Sequence, residues 1–336
     1  MVDGHLLSRL GALAMRKRWV VGLSINPSLR RLTAALVAAE GRGLAARVEV
    51  AAHHQSRLPR EVSCSLQRLE SGKPVDPGAS ALVAARLAEC QAALLDDFAS
   101  EVAPVWHRVM AVAVADLGLW RRRRGLTAWL GLCDAARLAE LSGMNVIDAF
   151  APRDLAQEGR GRPLSPLPAW MLLHDLQKSR VLVQGGPSTR LTWLPASRDA
   201  SGAARVKTSV VAGEGAPIVP AIVEKLSSGP HVDELLLTGR MASLPWVEEL
   251  SSKISTLRVV SLESQQVPPV AFRAATAGIL GLLHLDQTPA NSTATTGART
   301  PRVLGRLTPG SLANWHRLIQ ELAAARPSVV TLRSAV

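Results

Sequence analysis

Apolar and polar positions along the chain change rhythm repeatedly, and each change marks the edge of an element. Residues 19–24 form an apolar run of strand length that ends at an Asn26-Pro27 turn. Residues 32–38 return from that turn as a strand or a helix, and residues 47–52 alternate as a further strand. From 80 to 114, Ala, Leu and Val recur at helical spacing, with Pro104 placed to break the run into two helices. A compact unit follows. Residues 127–132 predict a strand, Asp134 caps a helix to Leu141 that Gly143 closes, and residues 144–147 predict the next strand. The stretch 152–168, rich in Pro and Gly, predicts a loop.

The second half repeats this order. Residues 180–184, 190–194 and 205–211 read as three consecutive strands. A helix at 216–226, a strand at 234–238, a helix at 245–253, a strand at 257–262 and a helix at 271–283 follow. The polar, Thr-rich residues 286–300 predict a surface loop, and Ser311 caps a last helix to about residue 326. A strand triplet followed by alternating helices and strands in each half predicts an α/β protein of two related domains, 1–175 and 176–336, around a central cleft.

Composition narrows the function classes. A chain of 336 residues with 47% hydrophobic positions can bury two cores and is not dominated by disorder. With three Phe, no Tyr and eight Trp, those cores rest mainly on Ala, Leu and Val. The net charge of +12 favours anionic partners such as nucleotides, nucleic acid or an acidic membrane surface. The densest basic run, Arg121 to Arg124, reads as a solvated loop between two strands. Nucleic acid is disfavoured because no aromatics are interleaved with the basic residues and no known module is present. Cys64, Cys90 and Cys133 are too widely spaced for a zinc site and odd in number, which points to a reducing compartment. The apolar residues 10–15 precede the basic residues 16–18, the wrong order for a signal peptide, and no run reads as long enough to span a bilayer. A cytoplasmic protein without a membrane partner is expected. His53-His54 lacks companion ligands, so no metal site is expected, and His107 and His174 read as packing or surface residues. No serine has a nucleophile-elbow context.

Two segments carry a resemblance. Residues 138–166 read LAELSGMNVIDAFAPRDLAQEGRGRPLSP, and residues 296–309 read TGARTPRVLGRLTP. The first resembles the segment of the anhydro-N-acetylmuramic acid kinases in which a helix and Gly lead to a strand, then D-F-x-x-x-D and G-G-Q-G-A-P-L-x-P. Phe150, Asp154, Gly159, Gly161, Pro163, Leu164 and Pro166 fall on that pattern. The second is similar to the family's T-G-A-x-x-P-R-x-L-G-x-L-x-P. The resemblance implies the duplicated actin-like ATPase and sugar-kinase (ribonuclease H-like) fold. It also implies ATP and magnesium as cofactors if the protein is active, and phosphorylation of 1,6-anhydro-N-acetylmuramic acid with ring opening in cell-wall recycling. Asp154 would be the base that activates water, with Arg153, Gly159, Gly161 and Pro163 on the sugar side. Read from the residue alone, Asp154 equally caps the turn after Pro152. The expected partners are an amino sugar and a nucleotide, and a homodimer is open.

Other family blocks are replaced. The opening G-x-x-S-G-T-S-x-D-G-x-D corresponds to GLSINPSLRRLT, Gly22 to Thr33, which keeps Gly22 and Ser28. Asn26-Pro27 stands for Gly-Thr and Arg30-Arg31 for Asp-Gly, removing an amide and reversing a charge where magnesium would sit. Of G-S-H-G-Q-T-x-W only Trp120 remains. Gly185 and Gly186 remain of N-x-G-G-x-x-N, and Gly213 and Gly215 of D-T-G-P-G-N, whose Asp has become Val211. Gly239 and Ala242 remain of G-G-G-A-x-N. Gly22, Ser28, Gly185, Gly186, Gly213, Gly215 and Gly239 are therefore the expected nucleotide-side positions. About twenty residues separate Gly215 from Thr238, where the family is longer, so the second domain is expected to be shortened between about 215 and 235. The expectation is a family fold with catalysis impaired or lost. The alternative is a non-catalytic nucleotide- or sugar-binding pseudokinase with a regulatory or scaffold role.

Overall fold

In the computed structural model the described residues are 17–71, 76–185, 188–212, 217–254 and 257–324. The chain opens with three antiparallel strands, β1 (Arg18–Ile25), β2 (Arg31–Glu40) and β3 (Arg47–Arg57). Residues 32–38, open between strand and helix in the sequence, are strand: nearly every position of β2 is buried, as in a sheet covered on both faces. The helix α1 (Arg60–Glu70) was not expected from the sequence. The long α2 (Pro77–Glu101) starts at Asp76, whose carboxylate accepts from the Ala79 amide, with Pro77 in the first turn. It is followed by the short α3 (Ala103–Trp106).

The helix expected on the far side of Pro104 is instead a strand, β4 (Val109–Ala115), with the sequence VMAVAVA. A run apolar at every position has no period to reveal, and parallel pairing with β1 and with Val146 and Ile147 decides it. β5 (Leu119–Arg123) and β6 (Leu126–Leu130) form a hairpin that turns at Arg124-Gly125, so Arg121 to Arg123 lie in a strand and not in a loop. α4 (Ala135–Ser142) starts at the Asp134 cap and ends at Gly143 in the left-handed region. β7 (Val146–Asp148) leads to α5 (Phe150–Leu155), and α6 (Pro166–Leu173) follows. These two helices shorten the loop expected over 152–168 to 156–165: Pro166 and Pro168 sit in the first turn of α6, where proline lacks only an amide the helix does not use.

A second meander, β8 (Arg180–Gly185), β9 (Thr189–Leu194) and β10 (Lys207–Ala212), precedes α7 (Ile218–Ser227), β11 (Glu234–Gly239), α8 (Leu244–Lys253) and β12 (Arg258–Ser261). The chain closes with α9 (Phe272–Leu285), β13 (Arg306–Thr308) and α10 (Leu312–Ala324). The first sheet has the order β13-β7-β4-β1-β2-β3 and the second β10-β9-β8-β11-β12. Apart from β13, the two match: an antiparallel meander whose first strand pairs in parallel with the next, and that strand with a third.

α9 is apolar nearly all round and buried, as a helix between layers must be. Its core cluster includes Val20, Ala113 and Ile147 of the first sheet together with Leu182, Leu236 and Val260 of the second. Glycines set the approach. A Cβ on Gly22 of β1 would lie 1.8 Å from the Ala274 carbonyl oxygen, and one on Gly281 would lie 2.7 Å from the Ala113 Cβ. The opposite face of the first sheet packs on α1, α2 and α4. α2 is long and apolar enough to cross a bilayer by length and composition, contrary to the sequence expectation that no run is; Leu87, Leu94, Leu95 and Phe98 place it in that core. The expected boundary at 175 and 176 falls between α6 and β8, but α9, β13 and α10 return to the first sheet.

Candidate functional site

Asp154 is buried to 0% exposure in the last turn of α5. Its Oδ1 accepts from Asn291 Nδ2 at 2.6 Å and from Thr296 Oγ1 at 2.5 Å, and its Oδ2 accepts from the Gly161 amide at 2.7 Å. Its backbone carbonyl accepts from the Gln157 and Gly159 amides. A Cβ on Gly159 would lie 2.2 Å from Oδ2, so glycine is what lets the loop close over the carboxylate. Neither oxygen reaches solvent, and each already has a short partner. A general base must face the proton it removes, and this carboxylate faces the protein.

The contacts around Asp154 bring the two resembling segments together. The Arg160 amide and Nη2 donate to the carbonyls of Thr296 and Thr295, and the Arg299 amide donates to Gln157. Arg299 pairs with Glu158 at 2.7 Å, Thr300 with Gln157, and Arg153 donates to the Val303 carbonyl. Below them Arg306 grips the buried Asp148 with two nitrogens, at 2.7 and 3.1 Å. Residues 286–300 form the expected loop, exposed in part, but it is fastened inward at five positions. Ala290, Asn291, Thr295, Thr296 and Ala298 are buried, and Asn291, Thr295 and Thr296 bond Asp154 or Arg160. Thr296 stood in the matched segment; Asn291 did not, and a single Asn in a polar stretch gives no signal of its own.

Beside this fastened loop lies a groove of about 340 Å³ between the β5–β6 hairpin, the loop 160–163 and the edge of the second sheet. Its lining includes Trp120, Arg121, Arg122, Arg160, Arg162 and Arg190, and no carboxylate. Arg162 stacks over the Trp120 ring at 4.7 Å, and that ring rests on Gly161, where a Cβ would lie 2.7 Å from it. Gly161 adopts φ 67°, a conformation that itself favours glycine. Arg190 Nε is buried without a partner. Burial first, then Arg162, Arg160 and Arg273, push the Arg190 guanidinium below its ordinary pKa. An anion seated there would relieve all of these terms together. Of the expected sugar-side residues, Pro163 lines the groove, Gly161 meets the Trp120 ring that lines it, Gly159 closes over Asp154, and Arg153 is turned to the segment 296–309. Arg160, Arg162 and Arg190 were missed as site residues because the first two share one loop, the third lies on a later strand, and no sequence spacing links them.

The expected nucleotide-side residues scatter. Gly22 lies mid-strand under α9, and its small size is used by helix packing. Ser28 is exposed in the β1–β2 turn. Gly185 and Gly239 meet at the carboxyl ends of the paired strands β8 and β11; Gly239 has φ 64°, and a Cβ on it would lie 2.6 Å from the Gly185 oxygen. Gly186, Gly213 and Gly215 lie outside the described residues. In the β1–β2 turn the Asn26 amide donates to the Arg31 carbonyl and the Leu29 amide to Asn26, while the Arg30 and Arg31 amides donate to Asn26 Oδ1 at 3.0 Å each. Pro27 has no amide, so the turn holds almost nothing in reserve for a phosphate. Near the end of β4, Asp116 is raised by burial above the usual carboxylate range, against the pull of amides from Cys133, Leu132 and Gly118. Among the described residues no group of three or more His, Cys, Asp or Glu is placed to hold a metal ion.

Fold and site together define a mixed α/β protein, consistent with a sugar-kinase type of fold, with a basic groove between the β5–β6 hairpin and the second sheet. Residues 18–203 match the family model for anhydro-N-acetylmuramic acid kinase, and the chain belongs to that family. It is 26% identical over 247 residues to an anhydro-N-acetylmuramic acid kinase of Pseudoalteromonas atlantica, covering 69% of this chain and 59% of that one. A Gloeobacter violaceus protein of the same name is 30% identical over 190 residues, covering 52% and 47%. A third, from Nitrosospira multiformis, is 38% identical over 71 residues, 21% of this chain and 19% of its own. The chain spans about half the length of the curated relatives it matches.

Proposed function

We propose that this family member binds a small anionic amino sugar in the basic groove and that its phosphoryl transfer is impaired. The architecture that goes with this reading is the duplicated actin-like ATPase arrangement, supported by the shared order and sense of the strands in the two sheets. The ligand class comes from the family, whose sugar acid carries a carboxylate. Arg160, Arg162 and Arg190 offer that carboxylate charge-assisted hydrogen bonds, and the Trp120 ring offers an apolar face. Thr208 and Ser209 on the groove wall supply hydroxyls for the sugar.

The observation that carries the loss of transfer is the turn 26–31. Magnesium-ATP does not fit it: the Asn26, Leu29, Arg30 and Arg31 amides are committed within the turn, and Arg30-Arg31 add positive charge where the family has Asp-Gly. Asp154 acts as the fastener of the loop 157–161 and not as a base. Free cysteines at 64, 90 and 133 support a reducing, cytoplasmic setting.

Calorimetric titration with 1,6-anhydro-N-acetylmuramic acid tests the reading. We expect binding without magnesium, weakened about tenfold or more by Arg162→Gln through one lost charged contact, and no magnesium-dependent phosphorylation. Turnover comparable to that of the family's kinases, abolished by Asp154→Asn in a protein that stays fully folded, would sink it.

A further inference from the structure

The β5–β6 hairpin is fastened to the molecule through one face and bare on the other. On the inner face Trp120, Thr127 and Trp129 are half-buried. Trp120 Nε1 donates to the Leu117 carbonyl at 3.0 Å, and its ring meets Trp129 edge-on at 6.5 Å between centres. Trp129 is seated on the glycines at the hairpin's base: a Cβ on Gly118 would lie 1.9 Å from its Nε1, and one on Gly131 would lie 2.8 Å from its ring. Both indoles are thus spent on holding the hairpin in place.

Strand alternation puts Leu126, Ala128 and Leu130 on the outer face, across from Arg123, Arg121 and Leu119. Leu126 is 71% exposed and Leu130 61%. At the tip Arg124 and Gly125 both have positive φ, 49° and 83°, as two-residue hairpin turns favour. A Cβ on Gly125 would meet no atom within 4 Å, so the tip stands in open space. From Leu117 to Cys133 the sequence holds four arginines and no carboxylate. The guanidinium groups of Arg122, Arg123 and Arg124 have no partner among the described residues. Being exposed, these charges are content in water. What needs a reason is a pair of leucines that a firmly seated hairpin holds in water beside them.

Size and chemistry narrow the occupant. Two strands of five residues span about 17 Å by 10 Å, roughly a fifth of the ~800 Å² that each partner of a stable protein interface contributes. Nucleic acid would stack its bases on aromatic rings, but both hairpin tryptophans face inward. A lipid surface needs neither feature: leucines enter the acyl boundary while arginine stems keep their charged heads at headgroup level. We propose that the hairpin docks this protein on an anionic lipid bilayer, with Leu126 and Leu130 inserted and Arg123 and Arg124 on the headgroups. Contact of this kind needs no spanning helix. It revises the sequence expectation of no membrane partner and is independent of the sugar groove, which neither Arg123 nor Arg124 lines.

Co-sedimentation of the full chain with phosphatidylcholine vesicles, with and without phosphatidylserine, tests it. Binding is expected only with phosphatidylserine, and it should weaken at high salt. Arg123→Gln with Arg124→Gln should lower partitioning about tenfold or more, at roughly fivefold per arginine. Leu126→Ser with Leu130→Ser should lower it by about tenfold or more through lost apolar burial. Arg57→Gln with Arg60→Gln removes the same charge from the end of β3 and the start of α1 and should leave binding as in the parent. All six positions are exposed, and thermal melts check that each variant folds. No binding to phosphatidylserine vesicles, hairpin variants that bind like the parent, or an equal loss in the Arg57 and Arg60 pair overturns the proposal. Self-association abolished by the leucine pair would make the face a contact between copies. Binding of a single-stranded oligonucleotide through Arg123 and Arg124, without binding of vesicles, would make it a nucleic-acid surface. Either result also overturns the proposal.

Discussion

At the scale of single residues, Asp154 is the clearest case of a side chain whose surroundings decide its job. Three donors converge on its two oxygens, and all three want an acceptor. Asparagine would turn one acceptor into an NH2 facing a donor. Asp154→Asn should therefore destabilise the protein by about 3 kcal/mol, the expense of a buried mismatch at a charged acceptor. Urea unfolding followed by tryptophan fluorescence measures it, and a midpoint within error of the parent would show the donors to be dispensable. Sequence reading found the residue because it sits in a matched motif. It could not find the role, because the partners Asn291 and Thr296 lie 137 and 142 positions away.

At the scale of elements, burial of an ion-pair network closes the start of the second sheet. Glu234 on β11 accepts from Arg180 Nε at 2.9 Å and from Lys178 Nζ at 2.6 Å, and Arg180 reaches on to Asp175 and the Leu173 carbonyl. Arg180→Met would leave Glu234, 3% exposed, with a diminished set of partners. A loss of about 3 kcal/mol is expected, as when one partner of a buried pair is removed, and chemical denaturation of the full chain checks it. The elements most legible in the sequence were those with a cap or a clear boundary, such as α4 between Asp134 and Gly143. β4 was misread because a strand buried on both faces and a buried helix share one apolar signature. The two short helices α5 and α6 were hidden by prolines that stand in them without interrupting a hydrogen-bonded turn.

Across the whole molecule, charge governs the response to pH. The carboxyl of Asp175 is held low chiefly by the Gln177 amide, and that of Asp233 by the Ser179 amide. Burial would raise Glu234, but hydrogen bonds from Lys178 and Arg180 outweigh it and bring its net shift down. Groups with depressed folded values contribute stability that is complete above the unfolded carboxylate range, ~4, and is lost as pH falls through the folded values. Asp116 has the opposite sign: burial raises it, so its contribution declines as pH rises from the unfolded range through the folded value. Thermal melts from pH 7 downward should show the loss at acid pH. In Arg180→Met that loss should be smaller, since one of the two groups holding Glu234 low is gone, and an unchanged acid profile would contradict the assignment. The repeated strand order was legible in the sequence as a repeated rhythm. The basic groove was not, because it exists only where three distant stretches meet.

The return of α9 and β13 to the first sheet also bears on how the chain is made. Gly22 is among the first described residues, yet the helix that presses on it begins at Phe272. During synthesis the central strands therefore wait, one face bare, until Phe272–Leu285 has left the ribosome, while the second sheet has all its strands by Ser261. The later sheet is thus free to complete its strand set first, while the earlier one spends that interval with an apolar face open to wrong association.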